Sequence, residues 1–317
     1  MRILALVPGG ISDQFLFFPT VSDIHRYYPN AQVDVITDPN AVGAYRVSNL
    51  VNKAVSFNFG QYNSLADWGN LLGIMRDREY DAVLSARSGW GLGLMLWLTG
   101  IPNRIGFSGP ANPFLTDILD DKEEQYQAKT YHNLLKGIDI EGPCPDVSIN
   151  VPRRDIEWAE AEQKRLGIGG GYILVDGRLE GESLVAEPVQ NYPMNSWRLV
   201  LKEIRERQPD LPILVVQDEE SSFAAELRTA GIELVASEPE DLGKLAALIA
   251  ASNVLITTNQ AAMQLAVAVK TFTVGLLGGV NPKKVLPDNE KFVGLSATTR
   301  KLSDIAPQQV LETLVGG

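Results

Sequence analysis

The first 37 residues constrain the fold of this chain more than any other stretch. They read MRILALVPGGISDQFLFFPTVSDIHRYYPNAQVDVIT. An apolar run from Ile3 to Val7 is followed by a Pro-Gly-Gly break, by apolar residues at helical spacing, and by a second strand pattern from Val33 to Ile36. This order of strand, glycine turn, helix and strand predicts a βαβ unit, and therefore a parallel sheet with right-handed crossovers.

The turn of this unit carries a carboxylate with two interpretations. Gly9, Gly10 and Asp13 follow the first strand, and ligands bind open α/β sheets outside the carboxyl ends of the strands. Ser12 or Asp13 stands where a helix N-cap is expected, and Asp is a favoured cap. The local pattern favours the cap, and the alternative is that Asp13 is a general base whose pKa is raised by burial. It leaves both roles open.

The alternation of strand and helix patterns continues through the chain and restarts once. A proline-rich stretch at 142–151, with few helix signals, separates the two series and reads as a linker. A length of 317 residues suits two domains. We therefore predict an α/β protein with domains at 1–150 and 151–317. Residues 108–121 contain Pro110 and Pro113 and are expected to be irregular.

Composition argues against several classes of function. The formal charge is −11 and the pI about 4.8, whereas nucleic-acid binding needs clustered Lys and Arg. A single cysteine excludes a disulfide within the chain and a thiolate metal cluster, and two histidines far apart in sequence disfavour a histidine site, so we expect no metal site. We see no signal peptide, and the longest apolar run, Leu92 to Leu98, is too short to span a bilayer. A cytoplasmic location is expected.

Three common catalytic or cofactor motifs are absent from the sequence. The stretch VPGGISDQ lacks the third glycine of the dinucleotide fingerprint, which disfavours a nicotinamide enzyme. Neither a Walker sequence nor a G-x-S-x-G nucleophile elbow occurs. No cofactor is therefore predicted.

The second half offers four candidate ligand contacts, each with a structural alternative. Asn259 is a predicted N-cap of a buried helix, whose N-terminal amides would favour a pyrophosphate. Gln264 interrupts the apolar pattern of that helix, as a satisfied core amide or as a ligand contact. Gly278 follows a buried strand in LLGGVNP, where a turn alone would explain it. Arg178 follows another strand, as a solvated loop residue or as a phosphate clamp.

Several of these segments together resemble glycosyltransferase family 9, the heptosyltransferase-like group, over nearly the whole chain. The opening stretch is similar to the start of that family, with Asp13 and Pro19 in the places of its Asp and Pro and Ser12 replacing its glycine. The segment YDAVLSARSGWGLGLMLWLTGIPNRIGF matches the "RIGF" strand of the family literally. LGKLAALIAASNVLIT and LLGGVNP are similar to its donor-site segments, with Gly278 and Pro282 retained.

The resemblance implies a GT-B fold, in which two Rossmann-like halves face a central cleft and the second half holds a nucleotide sugar. It implies inverting, metal-independent transfer to a cell-envelope glycan or glycolipid such as lipopolysaccharide, with Asp13 as the base and Gly9 and Gly10 on the acceptor side. An ADP-sugar donor and peripheral contact with the inner membrane are also implied. The last helix, at about 303–314, is expected to pack back on the first domain.

The donor motif of the family is changed in this chain. Where the family reads roughly D-T-G-x-x-H-L-A, residues 259–266 read NQAAMQLA, and the K-x-W-P motif appears as Gln190-Asn191-Tyr192-Pro193. Arg178, Gln190, Asn259, Gln264 and Gly278 are the predicted donor contacts. A non-catalytic binding or interaction protein of the same fold is the alternative. A two-lobed solute-binding protein would need export and is disfavoured.

Overall fold

The computed structural model describes residues 1–60, 63–121, 124–179, 191–218, 222–299 and 301–315. These residues form two compact units, one comprising Met1–Val147 and the other beginning at Ser148. Each unit has its own parallel β-sheet with helices packed against it.

The first unit contains strands that alternate with helices. Its strands are β1 (Arg2–Leu6), β2 (Gln32–Thr37), β3 (Lys53–Ser56), β4 (Ala82–Ser85), β5 (Asn103–Phe107) and β6 (Asp117–Leu119), and its α-helices are α1 (Ile11–Tyr27), α2 (Leu65–Arg76), α3 (Trp90–Thr99) and α4 (Gln127–His132). Segments of 3-10 helix lie at Pro39–Val47, Asn112–Phe114 and Asn133–Ile138.

The second unit repeats this alternation. Its strands are β7 (Ile173–Asp176), β8 (Ile213–Val216), β9 (Val235–Ser237), β10 (Val254–Thr257), β11 (Thr273–Leu277) and β12 (Phe292–Ser296). Its α-helices are α5 (Arg153–Leu166), α6 (Met194–Arg207), α7 (Phe223–Thr229), α8 (Leu242–Ala251), α9 (Gln260–Val269), α10 (Pro282–Val285) and α11 (Pro307–Val315), with a 3-10 segment at Leu302–Asp304.

The two sheets have the same strand order. The first runs β3-β2-β1-β4-β5-β6, and the second runs β12-β11-β10-β7-β8-β9, with every pair parallel. In each unit the order reverses beside the first strand, between β1 and β4 and between β7 and β10. Such a switch point leaves a crevice at the carboxyl ends of the strands, where ligands bind in this architecture.

Local sequence explains where individual helices begin and end. The Ser64 hydroxyl accepts the Asp67 N–H (3.2 Å) and so caps α2. Gly100 ends α3 in the left-handed conformation (φ +77°), which glycine adopts without steric cost. The inner faces of α2 and α3 bury Leu71, Met75 and Leu96 against the sheet, whereas the core of the second unit is built around Trp197 of α6.

The structure confirms the predicted α/β class with two Rossmann-like parallel-sheet halves and corrects some of its elements. The stretch 108–121, expected to be irregular, contains a short 3-10 turn and edge strand β6, which pairs with β5. Strand β12 was not predicted. Helix α11 packs on α6 within the second unit, and its expected contact with the first half stays a prediction. None of the helices among the described residues is long and apolar enough to cross a membrane.

Candidate functional site

The switch point of the first unit is built on the glycine turn between β1 and α1. Gly9 has φ +129°, and its N–H donates to Asp38 Oδ2 (2.8 Å). The next amide, of Gly10, donates to Asp13 Oδ2 (3.0 Å). A Cβ added at Gly9 would lie 2.3 Å from Asp13 Oδ2, so only glycine fits there without moving the carboxylate. The turn therefore fixes Asp13 at the carboxyl edge of the sheet.

Asp13 is not the residue that caps α1. The N-cap is Gly10, and Asp13 is the third residue of the helix, reaching back to the N-cap amide. The prediction that Ser12 or Asp13 is the N-cap is therefore wrong in position, because the helix begins two or three residues earlier than that prediction places it. The carboxylate still serves the helix, since it satisfies an amide of the first turn and lies at the positive end of the helix dipole.

A tyrosine from a distant helix completes the surroundings of Asp13. The hydroxyl of Tyr131, on α4, donates to Asp13 Oδ1 (3.2 Å). Burial raises the pKa of Tyr131 well above its ordinary value, and the charge of Asp13 and the hydrogen bond to it raise it further. Tyr131 thus stays a protonated donor at neutral pH. Sequence reasoning missed it, because 118 residues separate it from Asp13.

Asp38 is a second carboxylate at the same edge. It is half-buried, directly after β2, and it accepts the amides of Gly9 (2.8 Å) and Phe59 (2.9 Å). Its two hydrogen bonds therefore link the loop after β2 to the loops that follow β1 and β3. Its position directly after a strand of the predicted sheet was a usable signal in the sequence.

His132 and Trp90, other polar or aromatic residues of the first unit, lie in different surroundings. His132 is buried with its Nε2 2.8 Å from Asp23 Oδ2, so it belongs to the packing of α4 on α1. Trp90 begins α3 and is 60% exposed, with its ring edge-on to Phe114. Arg87 precedes it and is exposed.

The switch point of the second unit is dominated by an ion pair. Arg178 donates through Nε and Nη2 to the two oxygens of Asp176 (both 2.9 Å), and its Nη1 lies 3.6 Å from Asp218 Oδ2. Asp176 is fully buried. Burial alone would lower the pKa of Arg178, but the bonds and charges of Asp176 and Asp218 raise it. Arg178 is therefore not a solvated loop residue, and its role as a phosphate clamp stays a prediction.

Asn259 caps α9, as predicted. Its Oδ1 accepts the amides of Ala261 (2.9 Å) and Ala262 (3.3 Å), and its Nδ2 donates to Asp176 Oδ2 (3.3 Å). The side chain thus uses two of the helix N-terminal amides that were expected to favour an anion. Its assignment as a donor contact stays a prediction.

Gln264 and Gly278 are both buried, and the remaining predicted contact is not described. Gln264 Nε2 donates to the Val285 carbonyl (2.6 Å), whereas its Oε1 has no partner among the described residues. Such an acceptor suits an N–H or O–H donor of a ligand, because an unpaired buried oxygen is costly. Gly278 follows β11 and is buried. Gln190 lies outside the described residues.

The described residues contain no group of three or more His, Cys, Asp or Glu side chains placed to hold a metal ion. The candidate chemical groups at the switch point of the first unit are the Asp13 carboxylate and the Tyr131 hydroxyl that donates to it. In the second unit they are a buried ion pair, a capped helix and one unpaired amide oxygen.

Two parallel sheets with polar side chains at their switch points define the GT-B class of fold. The chain belongs to glycosyltransferase family 9 (heptosyltransferase), whose model matches residues 69–314. A family 9 glycosyl transferase from Veillonella parvula DSM 2008 superposes with a TM-score of 0.79 at 16% identity, covering 99% of this chain and 96% of that one. The E. coli ADP-heptose lps heptosyltransferase II gives a TM-score of 0.76 at 20% identity, with 100% and 98% coverage.

One relative by sequence has a different role. The chain is 24% identical over 331 aligned positions to the photosynthetic NDH subunit of subcomplex B 1, chloroplastic, from Arabidopsis thaliana. The match covers 96% of this chain and 71% of that protein. This chain is thus similar in fold to named glycosyltransferases and similar in sequence to a protein that is named as a subunit of a complex.

Proposed function

We propose that this protein is an inverting, metal-independent glycosyltransferase that moves a sugar from a nucleotide donor to a cell-envelope glycan or glycolipid. The observation that carries the proposal is the position of Asp13 at the switch point of the first unit. One of its oxygens is held by Gly10 and the other by Tyr131. By analogy with the E. coli ADP-heptose heptosyltransferase, the proposed donor is an ADP-sugar.

In the proposed reaction, Asp13 acts as the general base. Its carboxylate takes the proton of an acceptor hydroxyl while that oxygen forms a bond to the anomeric carbon of the donor sugar. The bond from this carbon to the diphosphate breaks, and the nucleoside diphosphate leaves with the electron pair. The Gly10 amide and the Tyr131 hydroxyl fix the direction of the carboxylate, which is what a positioned base requires.

The test is an Asp13→Asn variant, which keeps the shape of the side chain and removes the base. We expect transfer to fall by at least about 100-fold, while binding of the nucleotide sugar in calorimetry is unchanged. Asp77→Asn, on an exposed carboxylate at the end of α2, is the matched control and should transfer at the rate of the unmodified protein. If Asp13→Asn transfers as fast as that control, Asp13 is not the base.

Specific observations favour a second candidate, a non-catalytic binding or interaction protein of the same fold. Arg178 is engaged by two carboxylates, and Asn259 occupies helix amides that a diphosphate would otherwise receive. A leaving diphosphate needs charge stabilisation from donors that are free to reach it. The resemblance to a named NDH subunit points in the same direction.

Calorimetry with ADP-, UDP- and GDP-sugars separates the two candidates. Saturable binding at micromolar concentration to one of them supports the transferase, and no binding across the panel supports the interaction protein. A cytoplasmic location, a glycolipid acceptor and peripheral membrane contact remain parts of the proposal.

A further inference from the structure

The outer side of α3 is an exposed apolar surface. Trp90, Leu94, Trp97 and Leu98, which we call the α3 face, recur at the i, i+4, i+7 and i+8 spacing that places side chains on one side of a helix. Trp90 is 60%, Trp97 55% and Leu98 47% exposed. Leu94 is half-buried. No residue of α3 is charged.

This surface is unusual for a helix in water. A helix that is apolar on every side is ordinarily buried on every side, but the large apolar side chains that α3 buries in the core are those of Leu92, Met95 and Leu96. The other exposed large apolar side chains on helices include Leu65 of α2 and Leu199 of α6, and both of these helices also carry charged residues. We therefore expect the α3 face to bind another apolar surface that removes it from water.

The size of the face argues against a second protein chain as that cover. Two tryptophans that are a little more than half exposed offer roughly 150 Å² each, and the leucines add less. A stable protein interface buries about 800 Å² on each partner. A lipid surface needs no complementary protein shape and is bound through such small groups of aromatic and aliphatic side chains.

The chemistry of the face fits the boundary layer of a bilayer. The indole N–H groups of Trp90 and Trp97 have no hydrogen-bond partner among the described residues, so each ring has an apolar body and a free polar edge. Tryptophan rings of this kind settle at the level of the lipid headgroups. Since α3 is uncharged and the chain carries −11, attraction to anionic lipid is not expected to drive the contact.

We propose that the α3 face seats this protein on a lipid surface without net charge. The α3 face would be the part of the protein that makes the peripheral membrane contact proposed above. Binding to lipid through this face does not require that the protein transfers sugars. The placement of the face also suits a lipid-borne acceptor. β4 lies beside β1 with Ser85 opposite Leu6, so Trp90, five residues further on, starts from the same sheet edge as Asp13.

The test is flotation of the full chain with phosphatidylcholine vesicles. We expect the protein to float with the vesicles and its tryptophan emission to move to shorter wavelength. The double variant Trp90→Ser/Trp97→Ser should partition at least about tenfold less. Leu65→Ser and Leu199→Ser remove exposed leucines outside the face and should float like the unmodified protein. Because Trp90 also packs on Phe114, Trp97→Ser alone is the second variant and should lose part of the partition with an unchanged melting temperature.

Three results would overturn the proposal. The first is flotation of the double variant to the same extent as the unmodified protein, and the second is binding of the unmodified protein only to vesicles that contain anionic lipid. The third is a dimer in size-exclusion chromatography that the double variant abolishes, which would show that a second copy of the chain covers the α3 face. Vesicle binding with no sugar transfer would leave this inference standing and count against the transferase, so the two failures are distinguishable.

Discussion

At the scale of single residues, the position of the Asp13 carboxylate depends on the absence of a side chain at Gly9. In its left-handed conformation Gly9 donates its N–H to Asp38, and the Asp13 carboxylate occupies the space that a side chain at position 9 would need. A Gly9→Ala variant should therefore strain the backbone and displace the carboxylate together. We expect the free energy of unfolding to fall by about 1 to 3 kcal/mol in a urea titration.

The control for that variant is Gly69→Ala. Gly69 lies in the interior of α2, and a Cβ there would meet no atom within 4 Å. Alanine favours a helix over glycine, so this variant should gain about 0.5 to 1 kcal/mol. Equal effects of the two substitutions would contradict the steric argument for Gly9.

The residues found from sequence and those missed differ in the range of their contacts. Asp13 and Asn259 lie where a helix starts after a strand, and both were found because a strand, a turn and a helix start are local patterns. Tyr131 and Asp38 act on the same turn as Asp13, but they come from separate parts of the chain. The position of Asp38 directly after a strand was a usable signal, whereas the role of Tyr131 exists only once α4 packs on α1, so no local pattern indicates it.

At the scale of elements, the side chain of Asn259 determines whether the N-terminal amides of α9 are available to bind an anion. Asn259 uses its Oδ1 on the Ala261 and Ala262 amides. An Asn259→Ala variant should lower the free energy of unfolding by about 0.5 to 2 kcal/mol because the cap is lost. It should also free those amides, so inorganic phosphate should raise the melting temperature of the variant more than that of the unmodified protein.

Ser64→Ala is the matched control for this prediction. It removes the cap of α2, which is exposed and lies in the first unit. A similar loss of stability is expected there without a new response to phosphate. If Asn259→Ala responds to phosphate no more than this control, the capped amides are not what keeps anions from α9.

The sequence predicts a strand or helix where its buried residues form an apolar run or a periodic apolar pattern. Strand β1, in which the four residues after Arg2 are apolar and buried, was predicted from sequence. β6 has three residues and lies at the edge of the sheet, where pairing with β5 defines it, and β12 is only partly buried beside β11. Short or half-buried edge strands have too little periodicity to be seen before their neighbours are in place.

At the scale of the whole molecule, the same strand order in both sheets places the candidate residues at two equivalent points. Asp13 follows β1, and Asp176 and Arg178 follow or end β7; each of these strands adjoins the point where the order reverses. Alternating strands and helices predicted the fold class. They could not show that the second of these points is filled by an internal ion pair, because that depends on the side-chain contacts of Arg178.

The molecule as a whole should be sensitive to alkaline pH. Burial raises the pKa of six tyrosines in the described part of the chain, and that of Tyr192 reaches about 12; the others are Tyr45, Tyr80, Tyr126, Tyr131 and Tyr172. A tyrosine with a raised folded-state pKa contributes stability that is complete below the unfolded value of about 10 and is lost as pH rises towards the folded value.

Each of these groups should then lower the free energy of unfolding by about 1.4 kcal/mol per pH unit above about pH 10. Urea titrations from about pH 8 to about pH 11 measure this loss, and the tyrosinate absorbance of these six buried tyrosines should appear together with unfolding. Tyr126 is the internal control, because its hydroxyl has no hydrogen-bond partner among the described residues. Tyr126→Phe should keep its stability at pH 8 and lose about 1.4 kcal/mol less per pH unit above about pH 10. Tyrosinate absorbance that exceeds the share of exposed tyrosines such as Tyr27 before any loss of structure would contradict the burial of these hydroxyls.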